Sequence, residues 1–176
     1  GYTDVQKELS DMVLDLATRV RENMGLRRLT AVQAGSDEYI AHYVHSDKKT
    51  GVIVVLKSDK PDALADKAFQ EFAYDCCLHA AAFTPLYVKK EDVDAAYIDE
   101  QLEVFRGQVA ELQKPDNVKE GIVKGKLSKH LAEICFLEQA FVKDDKLSVA
   151  AKMKEVGKQL GANISLSKLV LWQLGQ

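Results

Sequence analysis

The sequence predicts an α+β fold: an antiparallel sheet flanked by helices, with an antiparallel helical hairpin of coiled-coil type inserted before the last strand. Three observations carry this. Strand-like segments near residues 26–56 are separated by short polar gaps, which favours antiparallel neighbours. Amphipathic helices flank them. Between residues 98 and 134 the apolar spacing tightens into a heptad-like seam on two segments joined by a turn.

Each element follows from its residues. Val5, Leu9, Met12, Leu16, Val20 and Met24 recur at helical spacing, so a helix is expected over 4–24 with Gly25 as its stop. Strands are expected over 26–32, 38–45 and 51–56. The last of these, Gly51-Val52-Ile53-Val54-Val55-Leu56, is nearly all aliphatic and reads as a central strand. A second helix is expected to start near Pro61, where a missing N–H costs little. Leu64, Ala68, Phe72, Cys76, Ala80 and Phe83 would form its buried stripe, and Pro85 would end it. Ile98, Leu102, Phe105, Val109 and Leu112 then form a seam. A turn at Lys114-Pro115-Asp116-Asn117 leads to a second arm carrying Val123, Leu127, His130 or Leu131, and Ile134. A loop at Lys143-Asp144-Asp145-Lys146 precedes a helix capped by Ser148 and stopped by Gly161. A final strand over 162–174 would rejoin the sheet. The division implied is a core of residues 1–90 plus 138–176 and a hairpin of residues 91–137.

The composition narrows the function. A chain of 176 residues with 47% hydrophobic residues is large enough to build a core. With 24 basic and 27 acidic residues it lacks the concentrated positive charge that direct nucleic-acid binding needs. Its longest apolar runs are strand-sized, so no membrane span is expected. Cys76, Cys77 and Cys135 are an odd set with a vicinal pair, which is not a disulfide framework and fits the cytoplasm.

No reaction centre emerges. His42 and His45 sit three apart on a strand, where they point to opposite faces, and no Cys-x-x-Cys or His-x-x-x-His spacing exists. No Gly-rich phosphate loop and no local signature of a Ser-His-Asp triad is present. The expectation is a binding module rather than an enzyme, with no metal and no cofactor. Tyr43 and His45, two apart on one strand face, form a candidate interface patch, since aromatic and imidazole groups often anchor interfaces.

Two blocks carry a resemblance. One is Asp15-Leu16-Ala17-Thr18-Arg19-Val20-Arg21-Glu22-Asn23-Met24 followed by Arg27-Arg28; the other runs from Val123 through Gln139-Ala140-Phe141-Val142. Tyr43-Val44-His45 before the aliphatic strand and His79-Ala80-Ala81-Ala82 before Pro85 support them. In this order and separation they resemble bacterial elongation factor Ts, over about residues 10–175. The resemblance implies a guanine-nucleotide exchange role in translation elongation, with elongation factor Tu loaded with GDP as partner. It puts Val20 and Arg21 against Tu near its nucleotide domain, His45 against its third domain, and Val142 and Lys143 in a loop that also faces Tu, with Gln139 and Phe141 in the same stretch. It makes the hairpin a dimerisation insert, so a homodimer through Ile98, Leu102, Phe105, Val109 and Leu112 is expected.

Three departures stand out. Arg21 occupies a position usually glycine in that family, Ala140 one usually proline, and Leu169-Val170-Leu171-Trp172 replaces a more aromatic and basic ending. The family's Thr-Asp-Phe-Val motif, whose Asp-Phe pair wedges beside the partner's magnesium site, is not in these residues. The chain is thus expected to be the C-terminal part of such a factor. The alternative is a structural or dimerisation module without exchange activity of its own.

Overall fold

A computed structural model describes residues 2–175. The chain falls into two units, residues 1–33 and 34–176. In the first, helix α1 spans Tyr2–Val20, with an Asp15–Arg19 ion pair one turn apart at 2.6 Å. Of its apolar stripe, Val5, Met12, Leu16 and Val20 are exposed and Leu9 is half-buried. The helix ends at Val20, four residues before the expected end at Met24, because Arg21 itself adopts the left-handed conformation at φ 58°. No strand forms over 26–32. Leu26, Leu29 and Val32 recur every third residue, a spacing that does not match the two-residue period of a strand.

The second unit is built on a three-stranded antiparallel sheet of β1 (Glu38–Val44), β2 (Thr50–Ser58) and β5 (Ile164–Gln173), ordered β1-β2-β5. The aliphatic strand β2 is therefore central, as its composition predicts, and the last strand joins beside it. Alternation sorts the faces. Tyr39, Ala41 and Tyr43 of β1 lie against Leu56, Val54 and Val52 of β2, and all turn to the core. Val52 and Val54 pair with Leu171 and Leu169 of β5. Continuing that register would bring Ser167 onto the apolar face. A bulge between Val55 and Leu56 shifts the pairing so that Leu56 meets Leu166 instead.

Helix α2 (Lys67–Phe83) covers this face. It does not begin at Pro61. A short 3-10 turn, Pro61–Ala65, comes first, and Asp66 is extended, with its carboxylate accepting from the Ala68 amide at 2.8 Å. The start moves to Asp66, while Phe72, Cys76 and Ala80 of the expected stripe stay buried. The buried residues are Phe69, Phe72, Ala73, Cys76, Cys77, His79 and Ala80. Ala68 is only half-buried and Phe83 is 49% exposed, so both depart from the expected stripe.

Helices α3 (Ala95–Val109) and α4 (Asp116–Ile134) pack on each other in opposite directions, with Tyr97 bonded to His130 and Arg106 to Glu120. Helix α3 closes with i→i+3 bonds at Ala110 and Leu112, which leaves Leu112 beyond the helix. Pro115 caps α4, so Asp116 and Asn117 belong to the helix rather than to the expected turn. The two ends return side by side: the Phe136 amide donates to the Tyr87 carbonyl at 2.9 Å and the Leu137 amide to Val88 at 3.0 Å.

Residues 143–146 are not a plain loop. Strands β3 (Ala140–Phe141) and β4 (Asp144–Ser148) form a small hairpin whose turn is Val142-Lys143. Helix α5 (Val149–Leu160) follows, with the Ser148 hydroxyl accepting from the Ala151 amide at 3.2 Å and Gly161 left-handed at φ 62°. Both caps lie where the sequence predicts them.

Candidate functional site

Within the unit of residues 34–176, α2 supports two exposed clusters from consecutive residues, Tyr74 and Asp75. His79 is the deepest polar group of the first. It lies on the buried stripe of α2, three residues after Cys76 and seven after Phe72, so helix geometry turns its ring inward. Its ring is stacked on Phe83 at 4.7 Å and Phe141 at 6.1 Å, with Phe136 edge-on at 5.4 Å.

Both ring nitrogens are used. The Val142 amide donates to Nδ1 at 3.2 Å, and Nε2 lies 2.9 Å from Gln139 Oε1. A main-chain N–H can only donate, so Nδ1 is the acceptor and Nε2 carries the proton. Gln139 then directs its amide nitrogen to the Glu133 carbonyl at 2.8 Å. Each bond fixes the orientation of the next. Burial holds the imidazole below its ordinary pKa of 6.5, against an opposing pull from Gln139. A neutral ring is what this bonding requires.

The turn is pinned at a second point. Lys143 Nζ lies 2.6 Å from Asp75 Oδ1, and Asp75 is much less exposed than Lys143. Phe141 is buried against Phe72 at 5.9 Å. Gln139 and Phe141 thus act as roots, while Val142, 40% exposed, and Lys143 face outward.

The second cluster lies at the end of β1. Tyr43 Oη is 2.9 Å from His45 Nδ1, with the rings 6.0 Å apart. Tyr43 also meets Tyr74 edge-on at 6.1 Å. Tyr43 rests on the core, whereas His45 and Tyr74 are exposed. The pair expected to share a strand face does meet, although His45 lies one residue past the strand.

Val20 ends α1 in the other unit and Arg21 follows it; both are exposed. The seam residues turn into the α3/α4 pair to differing degrees. Val109 is buried, Ile98, Leu102 and Phe105 are half-buried, and Leu112 is 41% exposed. His79, which holds this network, was not among the site residues expected from the sequence. The available signal was its helical spacing from Phe72 and Cys76 on α2.

Among the described residues no cluster of three metal-binding side chains exists, and no helix is long and apolar enough to cross a membrane. The cysteines offer no nucleophile. All three are buried, and burial pushes Cys77 up to about 12 and Cys76 and Cys135 above the usual thiol range.

Such an arrangement defines an α+β module that presents fixed side chains on rigid supports. Residues 2–176 match the family model described as Elongation factor TS, and the chain belongs to that family. It is 75% identical to elongation factor Ts of Treponema denticola over 98% of this chain and 62% of that protein. Against elongation factor Ts of Treponema pallidum the identity is 59% over 99% of this chain and 61% of the relative. Against that of Borreliella burgdorferi it is 38% over 92% and 58%. The chain thus spans about three fifths of the length of the curated relatives it matches.

Proposed function

We propose that this chain is the partner-docking part of a guanine-nucleotide exchange factor for elongation factor Tu, acting in translation elongation in the cytoplasm. Family membership supports the reading. The observation that carries it is the Val142-Lys143 turn, fixed from below by His79 and Asp75 at the position where the resemblance sets a Tu-facing loop. Fixing a turn before contact removes part of the ordering cost of binding. The Tyr43–His45–Tyr74 cluster and the exposed Val20 and Arg21 would supply further contacts. A partner that prefers nucleotide-free Tu must, by linkage, weaken GDP binding.

Binding to Tu·GDP and release of labelled GDP test this. The chain should bind, and His45→Ala should weaken binding by about 1–2 kcal/mol without lowering the melting temperature. The wedge motif that the resemblance assigns to the exchange step is not in these residues, so release is expected to be slow. No binding at high protein concentration would sink the reading.

The second reading, a dimerisation module over residues 91–137, draws on apolar groups left exposed on the hairpin: Val104, Leu112 and Val118. Sedimentation of the wild type and Leu112→Glu decides it. A monomer in both cases removes this reading.

A further inference from the structure

We propose that His79 is the positioning residue of the Val142-Lys143 turn, and that a proton on its Nδ1 releases the turn. This rests on the docking role proposed for residues 139–143. The argument starts from hydrogen-bond bookkeeping. Nδ1 accepts from the Val142 amide, and Nε2–H donates to Gln139, whose own amide is directed at the Glu133 carbonyl. Protonation leaves the Nε2 bond intact. It turns Nδ1 into a donor that faces another donor, so the one bond lost is the one that holds the turn. Phe83 and Phe141 flank the ring and limit its escape into solvent.

The ionisable groups on the surrounding elements do not take over this role. On α2, Asp75 is ion-paired with Lys143 of the turn. Glu133 at the end of α4 offers its main-chain oxygen to the network, and Glu138 lies 3.9 Å from Lys90. Cys76 and Cys135 are held as thiols by burial.

The sign follows from the burial of the ring. Its folded pKa lies below 6.5, so the unfolded chain binds the proton more readily. The stabilisation is complete above pH 6.5 and is lost as pH falls below it, through the folded value. Protonation of Asp37 and Asp59, both held below the ordinary 3.8, sets in only at more acidic pH.

The test uses the 176-residue chain. Protection of the Val142 amide against hydrogen exchange, corrected for intrinsic rates, is measured from pH 7.5 to 5.0 in wild type, His79→Asn and His79→Phe. In the wild type it should fall roughly 3- to 10-fold as the ring protonates, as expected for loss of one hydrogen bond. Asn carries an oxygen near the Nδ1 position and does not titrate, so His79→Asn should keep protection without the pH step. His79→Phe should be unprotected throughout. If Phe at this position prevents folding, the wild-type titration and the Asn variant still decide. Flat protection in the wild type across this range overturns the proposal, as does a protected turn in His79→Phe. Affinity for Tu·GDP at pH 7.5 is a separate arm. Lost protection with unchanged affinity would leave His79 as a positioning residue but remove residues 139–143 from the docking surface.

Discussion

The sheet region and the helical hairpin are held together by different means. Around the sheet, α2, α5 and the strands share one apolar cluster that includes Val54, Leu56, Phe69, Cys76 and Phe136 at zero exposure. In the hairpin, Val109 and Val123 are the buried residues of α3 and α4. Its arms are otherwise tied by half-buried side chains and polar links: Arg106 to Glu120, Lys126 to Gln108, and Lys119 to the Ala110 carbonyl. Exposed ion pairs contribute little, typically under about 1 kcal/mol. The sheet region should therefore set global stability, and the hairpin should open locally well before it.

The largest effect that separates the two regions is expected from a core truncation. Phe69 is fully buried and meets Tyr39 edge-on at 6.0 Å. Phe69→Ala should cost about 3–5 kcal/mol in chemical denaturation, with both transfer and cavity contributing. The matching change in the hairpin, Val123→Ala, removes two methyl groups and should cost about 2 kcal/mol. Its signature should be faster amide exchange in α3 and α4 while β2 stays protected. Equal loss of protection in both regions would show that the hairpin and sheet unfold as one unit.

A smaller loss is expected from a glycine in the sheet region. A Cβ on Gly157 would lie 2.6 Å from the Ala162 carbonyl oxygen. That oxygen is main chain, fixed where α5 reverses: the Ala162 amide donates to Gly157 at 2.8 Å, and Gly161 is left-handed. Alanine is the better helix former by about 1 kcal/mol. The overlap should outweigh this, giving a net loss of about 1–3 kcal/mol for Gly157→Ala. An unchanged melting temperature would show that the α5–β5 connection yields easily.

The contrast also explains which features could be read from the sequence. Strand β2 is apolar on successive residues and could hardly be anything but central. Ser148 and Gly161 are cap residues with direct mechanisms. The bulge at Val55/Leu56 was hidden, because only the pairing of two strands distant in sequence reveals that Ser167 must be skipped. The start of α2 was not legible, because Pro61 and Asp66 both carry start signals, and Phe72, Cys76 and Ala80 share a face from either one. The Tyr43–His45 pair was legible because two residues on a strand share a face. His79 was not, because its partners Gln139 and Val142 lie 60 and 63 residues away and no local period links them.

Glycines in the hairpin give the smallest and most diagnostic difference. A Cβ on Gly107, Gly121 or Gly125 would meet nothing within 4 Å, in contrast to Gly157. None of the three has a positive φ. They therefore satisfy no packing or backbone requirement within this chain, and each carries the entropic cost of glycine in a helix interior. Gly121→Ala and Gly125→Ala should each stabilise α4 by about 0.5–1 kcal/mol. The gain should appear as slower amide exchange confined to α3 and α4, with the denaturation midpoint of the sheet region nearly unchanged. If either substitution instead destabilises the hairpin, the added methyl group must be meeting a neighbour that an isolated chain does not contain. Sedimentation of that variant beside the wild type would then identify the neighbour as a second copy or exclude one.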